Sequence, residues 1–533
     1  MSPCPGSSPS EAEAFLADPR SHGGRAVERI DTHISTLFLA GDRVFKLKKP
    51  VRLPFLDFST LAARRKACEA ELEINRRATP DLYLGVRALT RASGGGLELD
   101  GKGEAVDWAV EMRRFDQDTL FDRLVRRGEL DRERCNALTE AIADFHRVAP
   151  IRRDRGGRAG LDWTVATNRL SMLAHAQGQG GAPAILPVDE VEELARLSFA
   201  ALERFAPRLE ARRAAGFVRQ CHGDLHLGNI CLWRGRPALF DAIEFSEDIA
   251  CIDVIYDLAF LLMDLDHRGA RRQANWVMNH YLDLTADFAG IAPMPLYLSA
   301  RAGVRAHVCA TMAAGASGEA GERLVGDARS YLAAARRYLA PPSPRLLAVG
   351  GLSGSGKSRM GRELAPFLAV PGAAVVRSDS LRKHLMGVPI HEKLGPDGYA
   401  PEVTERTYER LYDTCAALLA DGHSAVADAV FARPEQREAI ERVAKAAGVR
   451  FDGLWLEAPA ELSKLRIAGR KANVSDATPQ VLERQLSYDL GAITWTRIDS
   501  SPPKDVTLAA GRVALGVWPS SESADFQPTG SGA

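Results

Sequence analysis

Residues 346–358 read LLAVGGLSGSGKS, a short apolar run followed by a glycine-rich loop that ends in lysine and serine. The last eight residues fit the pattern G-x-x-x-x-G-K-[ST]. Between a strand and a helix, the backbone N–H groups of such a loop wrap phosphates. In that setting Lys357 reaches the β- and γ-phosphates of a nucleotide, and Ser358 ligates magnesium. The nucleotide-binding residues that this loop predicts are Gly351, Ser353, Gly354, Ser355, Gly356, Lys357 and Ser358.

The rest of the C-terminal half alternates apolar runs with helical stretches. Strands are predicted at 346–349, 374–377, 425–429, 454–456 and 496–498. This alternation predicts an α/β P-loop domain, with a parallel sheet and helices on both faces, over residues 346–515. A proline-rich linker at 341–345 precedes it. Because clustered prolines end a helix and stiffen a linker, the two halves are expected to fold separately.

Charged side chains follow these predicted strands. Asp379 comes after the second strand, where an acid that faces the γ-phosphate can activate an acceptor hydroxyl. Asp428 ends the third strand, either as a catalytic acid, as a solvated acid or as an outer contact to magnesium. Arg466 and Arg470 lie one turn apart on a predicted helix. They either close over the phosphates as a lid or form a solvated helix face.

A second constellation lies in the N-terminal half, where residues 222–229 read HGDLHLGN. The spacing H-x-D-x-x-x-x-N, with Asp241 twelve residues after Asn229, has the order of a kinase catalytic loop. Phosphoryl transfer depends on positioning and charge neutralisation. Asp224 is therefore predicted to orient the acceptor hydroxyl and take its proton, and Asn229 and Asp241 to hold magnesium. His222 is expected to brace the loop.

Such a site also needs a lysine on a strand paired with a glutamate on a helix. Lys46 and Lys48 face the same side of a predicted strand, so the sequence leaves both open, and we favour Lys46. The next helix offers three glutamates. We favour Glu71, which adjoins the apolar face and stacks with Asn75 one turn on. The other two glutamates are Glu69 and Glu73.

The secondary-structure signals of this half fit a bilobal kinase, an α+β domain expected over 21–340. Strands at 34–40 and 43–48 flank a Gly-Asp turn, a helix covers 59–77, and mainly helical patterns follow from about 116. Residues 1–20 and 516–533 are rich in small and polar residues and are expected to be flexible tails.

Residues 25–339 resemble the aminoglycoside phosphotransferase and choline kinase superfamily, whose signature is close to HGDLHLGN. The resemblance implies an ATP-dependent kinase and a structural role for Asp257. The chain departs from the pattern of a full bilobal kinase in two respects. It has no G-x-G-x-x-G loop, and Asp241 is followed by Ala-Ile-Glu rather than Phe-Gly. Glu244 is either a further metal ligand or a surface acid.

Residues 345–515 resemble small P-loop kinases of the gluconate-kinase, chloramphenicol-phosphotransferase and polynucleotide-kinase type. That resemblance implies that Asp379 acts as general base and that Arg382 contacts phosphate. The two halves together resemble a bacterial fusion family described as bifunctional aminoglycoside phosphotransferase/ATP-binding proteins. The expected cofactors are ATP and Mg²⁺.

The net charge and the cysteine pattern limit the kinds of partner and compartment that we expect. The chain has 533 residues and a formal net charge of zero, which argues against a nucleic-acid or membrane surface. Scattered single cysteines and the absence of a signal-peptide pattern favour a reduced, cytoplasmic protein. We expect a kinase that phosphorylates hydroxyls of small molecules at two sites. The alternatives are a sensor in which one nucleotide-binding domain regulates the other, and a nucleic-acid 5′-hydroxyl kinase in the C-terminal half.

Overall fold

The protein is described from a computed structural model, which covers residues 10–53, 56–176, 184–469, 476 and 478–517. The chain divides into two compact units. The first contains the residues up to Leu261 together with Ala300–Leu332, and the second contains Leu262–Ser299 together with the residues from Ala333 onward. This division does not follow the predicted linker at 341–345, because the helical segment 262–299 groups with the P-loop half.

The first unit begins with an antiparallel sheet in the strand order β1-β2-β3-β8-β6-β7. Its strands are β1 (Val27–Asp31), β2 (Ser35–Ala40), β3 (Arg43–Lys48), β6 (Tyr83–Arg91), β7 (Leu97–Leu99) and β8 (Ala105–Arg113); β4 (Arg52–Leu53) and β5 (Leu56–Asp57) pair separately. The predicted hairpin is confirmed, with Phe38 opposite Phe45 across β2 and β3.

Two helices pack on this sheet. Helix α2 (Leu61–Arg76) lies within the predicted 59–77 and is capped by Thr60, whose hydroxyl accepts the N–H of Ala63. Helix α1 (Glu11–Ala17) occupies part of the stretch that was expected to be a flexible tail. Its Ala12 and Leu16 are buried against the sheet, and this apolar contact explains why residues 11–17 are ordered. The remaining tail segments, 1–9 and 518–533, lie outside the described residues.

The helical part of the first half confirms the bilobal order of a small sheet followed by helices. Its helices are α3 (Phe121–Arg126), α4 (Arg132–Val148), α5 (Gly157–Ala176), α6 (Val188–Ala215), α7 (Glu247–Ala250), α8 (Val254–His267), α9 (Arg271–Thr285), α10 (Met294–Ala314) and α11 (Gly318–Tyr338). Two short antiparallel pairs lie among them, β10 (Ile230–Trp233) with β11 (Arg236–Leu239), and β9 (Val218–Gln220) with β12 (Cys251–Asp253).

The second unit contains a parallel sheet in the order β14-β15-β13-β16-β17, which confirms the five predicted strands. The strands are β13 (Arg345–Gly350), β14 (Ala374–Arg377), β15 (Ala425–Asp428), β16 (Arg450–Glu457) and β17 (Thr496–Asp499). The helices between and after them are α12 (Lys357–Leu364), α13 (Ser378–Leu385), α14 (Pro401–Ala420), α15 (Pro434–Ala447), α16 (Ala460–Ala468), α17 (Pro479–Leu486) and α18 (Lys504–Leu515). Leu347, Val349, Val375 and Val426 form its buried core with α12.

The seven cysteines among the described residues are free and buried, as expected for reduced core residues. Within the same residues, no helix combines the length and the apolar character that crossing a bilayer requires.

Candidate active sites

The first candidate site is built around the loop 222–229, which connects β9 to β10. Asn229 donates from Nδ2 to the carboxylate of Asp224 at 2.8 Å and to the Asp224 carbonyl at 2.9 Å, so the two predicted site residues meet. The His226 ring lies 3.4 Å from the same carboxylate. Burial acts to raise the pKa of Asp224, but the contact with His226 and the positive charge of Arg301 outweigh it and lower that pKa. Asp224 is therefore an ionised acceptor at neutral pH.

Asp257 on α8 fixes the backbone of this loop. Its carboxylate accepts the N–H groups of His222 at 3.0 Å and Gly223 at 2.9 Å, and it lies 3.1 Å from His146 Nε2. Arg301 donates to the carbonyl of Gly223 at 3.0 Å. These contacts agree with the structural role that the sequence gave to Asp257.

His222 joins the loop to the next strand pair. Its Nε2 lies 2.9 Å from the carbonyl oxygen of Phe240, the residue immediately before Asp241. Burial lowers the pKa of His222, so its ring is neutral near pH 7 and braces the loop by hydrogen bonding rather than by charge. This is the bracing contact expected for His222.

Lys46 and Lys48 form a buried ion network with three carboxylates. Lys46 Nζ lies 2.8 Å from Glu71 Oε1 and also contacts Asp241. Lys48 contacts the other oxygen of Glu71 and also Glu244. Burial acts to raise the pKa of Glu71, but the two lysines outweigh it and lower that pKa to about 2. Glu71 thus serves both lysines, and neither Glu69 nor Glu73 takes its place.

The exposure of the carboxylates distinguishes the two lysines. The Asp241 side chain, which Lys46 contacts, is 46% exposed, whereas that of Glu244, which Lys48 contacts, is 3% exposed. Lys46 therefore lies at the open side of the network and Lys48 lies behind it. Glu244 is a buried ion-pair partner of Lys48, so of its two alternatives the surface acid is wrong.

Helix α2 and strand β6 also position Asp241. Asp241 has a left-handed backbone, with φ of 61°, and its N–H donates to the Tyr83 hydroxyl at 2.9 Å. The next N–H, of Ala242, donates to Asn75 Oδ1 at 3.0 Å. Asn75 lies one turn beyond Glu71, so one helix holds both the glutamate and the loop of the aspartate. The sequence pointed to Asn75, which lies one turn beyond Glu71, but nothing in the sequence pointed to Tyr83.

The second candidate site is the glycine-rich loop 351–358 between β13 and α12. A Cβ atom at Gly351 would lie 2.6 Å from the carbonyl of Leu456, and one at Gly354 would lie 2.6 Å from that of Ser463. Both positions also have positive φ angles, so glycine is required at each. Ser353 donates its N–H to Gln485 Oε1 at 2.8 Å, which ties the loop to α17. Gln485 is a supporting residue that the sequence analysis missed.

A cavity of about 360 Å³ opens beside this loop. Its lining includes Lys357 and Ser358, in the first turn of α12, and also Arg466, Ser500 and Lys504. Arg466 donates to the Ser500 carbonyl at 2.7 Å, so it is anchored at the cavity rather than on a solvated helix face. The second predicted lid arginine, Arg470, lies outside the described residues.

The acids predicted at the strand ends occupy different environments. Asp379 is partly buried in the first turn of α13, directly after β14. Arg382 donates to the Gly398 carbonyl at 2.8 Å and stacks on the Tyr399 ring, 5.0 Å from its centroid. Asp428 is 3% exposed at the end of β15, so the solvated alternative is wrong for it. Its Oδ1 is buried without a hydrogen-bond partner, as expected of an oxygen that awaits a ligand.

Two family models match the chain. Residues 97–294 match the phosphotransferase enzyme family, and residues 346–488 match an AAA domain family. The chain therefore carries a phosphotransferase domain with a P-loop kinase domain after it, and it is an enzyme of the kinase and phosphotransferase class. This agrees with the two resemblances seen in the sequence.

Several known proteins are similar to this chain. An uncharacterized protein of Mycobacterium tuberculosis is 29% identical over 503 residues, which are 92% of this chain and 94% of that protein. A choline/ethanolamine kinase family protein from Mesorhizobium loti is 17% identical with a TM-score of 0.36, over 61% of this chain and 98% of that one. A gluconokinase from Sinorhizobium meliloti is 20% identical with a TM-score of 0.24, over 33% and 92% of the two chains.

Proposed function

We propose that this enzyme has two ATP sites and that each transfers the γ-phosphoryl group of ATP to a hydroxyl group of a small molecule. The observation that carries the proposal is the position of Lys46, whose ammonium contacts Glu71 and Asp241 at the open side of the first site. A lysine held between a helix glutamate and a metal aspartate is the arrangement that kinases use for phosphates.

In the first site each side chain has a separate task. Lys46, oriented by Glu71, binds the phosphates, while Asn229 and Asp241 offer the oxygen ligands that magnesium prefers. Magnesium, when bound, neutralises charge on the phosphates. The ionised Asp224 accepts a hydrogen bond from the acceptor hydroxyl and so directs its oxygen at the γ-phosphorus. As the new O–P bond forms, the bond to the β-phosphate oxygen breaks and the hydroxyl proton passes to Asp224.

In the second site the backbone of 351–358 surrounds the phosphates. Lys357 places its charge against the β- and γ-phosphates, and Ser358 offers a hydroxyl to magnesium. Asp379 is proposed as the base for the acceptor, with Arg382 as a contact to phosphate. Arg466, and Arg470 by the same sequence argument, would supply positive charge as the γ-phosphoryl group moves. The buried, unpartnered Oδ1 of Asp428 supports a magnesium site at the same edge of the sheet.

A screen of small hydroxyl compounds with γ-labelled ATP tests the proposal. The full chain is compared with Asp224→Asn, with Lys357→Ala and with both together. Each phosphorylated product should disappear in one of the single variants, and every product should disappear in the double variant. Matched controls are Asp248→Asn and Lys445→Ala, two exposed residues that belong to neither proposed site. Transfer that survives in the double variant at the wild-type rate would refute the assignment of both sites.

A further inference from the structure

Helix α9 covers the edge of the parallel sheet in the second unit. Strand β14 is the outermost strand on that side. Asn279 accepts the N–H of Val375 at 2.6 Å through Oδ1, and Asn275 donates to the carbonyl of Ala373 at 3.0 Å. Both asparagines are buried. Their amides thus replace part of the hydrogen bonding that a further strand would supply.

Asp283 lies two turns beyond Asn275 on the same face of α9 and reaches the segment that carries Asp379. Its Oδ2 lies 2.8 Å from Arg377 Nη1, and its Oδ1 accepts the Ser380 hydroxyl at 2.5 Å. Its carbonyl oxygen lies 2.8 Å from His384 Nε2. Burial acts to raise the pKa of Asp283, but Arg377 and Ser380 outweigh it and lower that pKa. Asp283 is therefore a buried anion that contacts residues on both sides of Asp379.

Arg377 lies between two buried carboxylates. Its strong partner is Asp283, whereas its Nε lies 3.5 Å from Asp428 Oδ2, longer than a hydrogen bond. Arg377 and Asp428 are each 3% exposed, so bulk water does not screen this competition. The Nη1 group of Arg377, which pairs with Asp283, is consequently unavailable to Asp428.

We propose that Asp283 is a positioning residue of the P-loop site. By holding Arg377, it keeps the carboxylate of Asp428 open for the magnesium that accompanies a nucleotide at Ser358. The inference rests on the proposed function of this site. Asp283 belongs to the residues matched by the phosphotransferase family and lies outside 346–488, so the second site depends on a side chain from the other family segment.

Removing the charge of Asp283 is expected to weaken magnesium binding at the P-loop site. In Asp283→Asn the guanidinium of Arg377 loses its strong partner and pairs with Asp428, which competes with the metal. The magnesium concentration needed for half-maximal ATP binding at the P-loop site should rise by about tenfold, the lower range for residues that support metal ligands. Adding Arg377→Gln to Asp283→Asn removes the competing cation and should bring that concentration back to within about twofold of wild type.

The experiment titrates the full chain with MgCl₂ in the presence of a fluorescent ATP analogue. Binding that Lys357→Ala abolishes is assigned to the P-loop site. The matched control is Asp266→Asn, because Asp266 is another buried aspartate of the second unit, paired with Arg271 at 2.6 Å. Thermal unfolding of each variant separates loss of stability from loss of metal binding. Asp266→Asn should lower the midpoint of unfolding without changing the magnesium requirement.

An unchanged magnesium requirement in Asp283→Asn would overturn the inference, as would an equal rise in Asp266→Asn. Arg377→Gln alone gives a second test that does not need Asp283→Asn to fold. Its magnesium requirement should stay at or below that of wild type, and a tenfold rise would contradict the competition argument. If wild type shows no binding that depends on Lys357, the proposed function of this site fails, which is distinct from binding that ignores Asp283.

Discussion

Glu71→Gln tests the buried ion network of the first site. The variant keeps the size of the side chain but removes the charge shared by Lys46 and Lys48. In the wild type the pKa of Glu71 falls from an ordinary value of 4.5 to about 2. Since each pKa unit corresponds to about 1.4 kcal/mol, the ionised carboxylate stabilises the fold by roughly 3 kcal/mol. Breaking a buried ion pair from one side costs about 3–5 kcal/mol, which agrees with that figure.

The pH dependence of stability gives this prediction its signature. Because the pKa of Glu71 is lowered in the folded state, its contribution is complete above 4.5 and is lost as the pH falls toward about 2. Glu71→Gln should therefore be less stable than wild type by roughly 3 kcal/mol near neutral pH, and the difference should close on acidification. Urea unfolding at a series of pH values, followed by circular dichroism and tryptophan fluorescence, measures this difference.

Glu69→Gln is the matched control for that measurement. Glu69 lies on the same helix, its side chain is 53% exposed, and it pairs with Arg65 one turn away. An exposed pair of this kind contributes about 0.3–0.5 kcal/mol, so the control should differ little from wild type. Equal losses in both variants, or a loss in Glu71→Gln that persists at acid pH, would refute the reasoning.

Three further predictions concern the sites and their segments. Asp224→Ala should retain ATP binding in the first site and slow labelled phosphoryl transfer there by about 10²–10⁴. Lys357→Ala should remove nucleotide from the second site and spare the first. In binding titrations the effects of the two variants should add within about 0.5 kcal/mol. A fragment that begins at Pro341 lacks α9, so it should be less soluble and unfold at a lower temperature than one that begins at Leu262, because β14 loses its amide partners.

Each of these has a contrary outcome. Unchanged transfer in Asp224→Ala would remove the kinase assignment of the first site. Reciprocal shifts of about 1 kcal/mol or more between the two nucleotide sites would favour the sensor hypothesis over two independent enzymes. Equal solubility and equal unfolding temperatures of the two fragments would favour the linker at 341–345 as the domain boundary.

The parts of the molecule that depend on local sequence were predictable. The loop 351–358 and its flanking strand and helix follow from glycine spacing and apolar runs, and so does the hairpin of β2 and β3. Helix α1 also left a local signal that was missed. Ser10 and Glu13 have the spacing of a capping box, and each side chain accepts the N–H of the other.

The parts that depend on tertiary contacts were not predictable in the same way. Lys46 and Lys48 face the same side of β3, so the strand pattern cannot tell them apart. Only their different carboxylate partners distinguish them. Glu244 becomes a buried partner of Lys48 across 196 positions of sequence, which no local pattern encodes. Asp283 left no signal, because an acid near the end of a helix is normally solvated and its contact with Arg377 is visible only in the fold.

The asparagine and aspartate face of α9 also has a consequence for the order in which the chain is made. Asp283 leaves the ribosome 94 residues before its partner Arg377. At about 5–20 residues per second, that interval lasts roughly 5–20 seconds. Throughout it, the polar side chains that later join β14 have no strand to bind, so α9 cannot reach its final packing while it is being synthesised. The second unit therefore completes the β14 edge of its sheet only after both the P-loop and β14 have emerged.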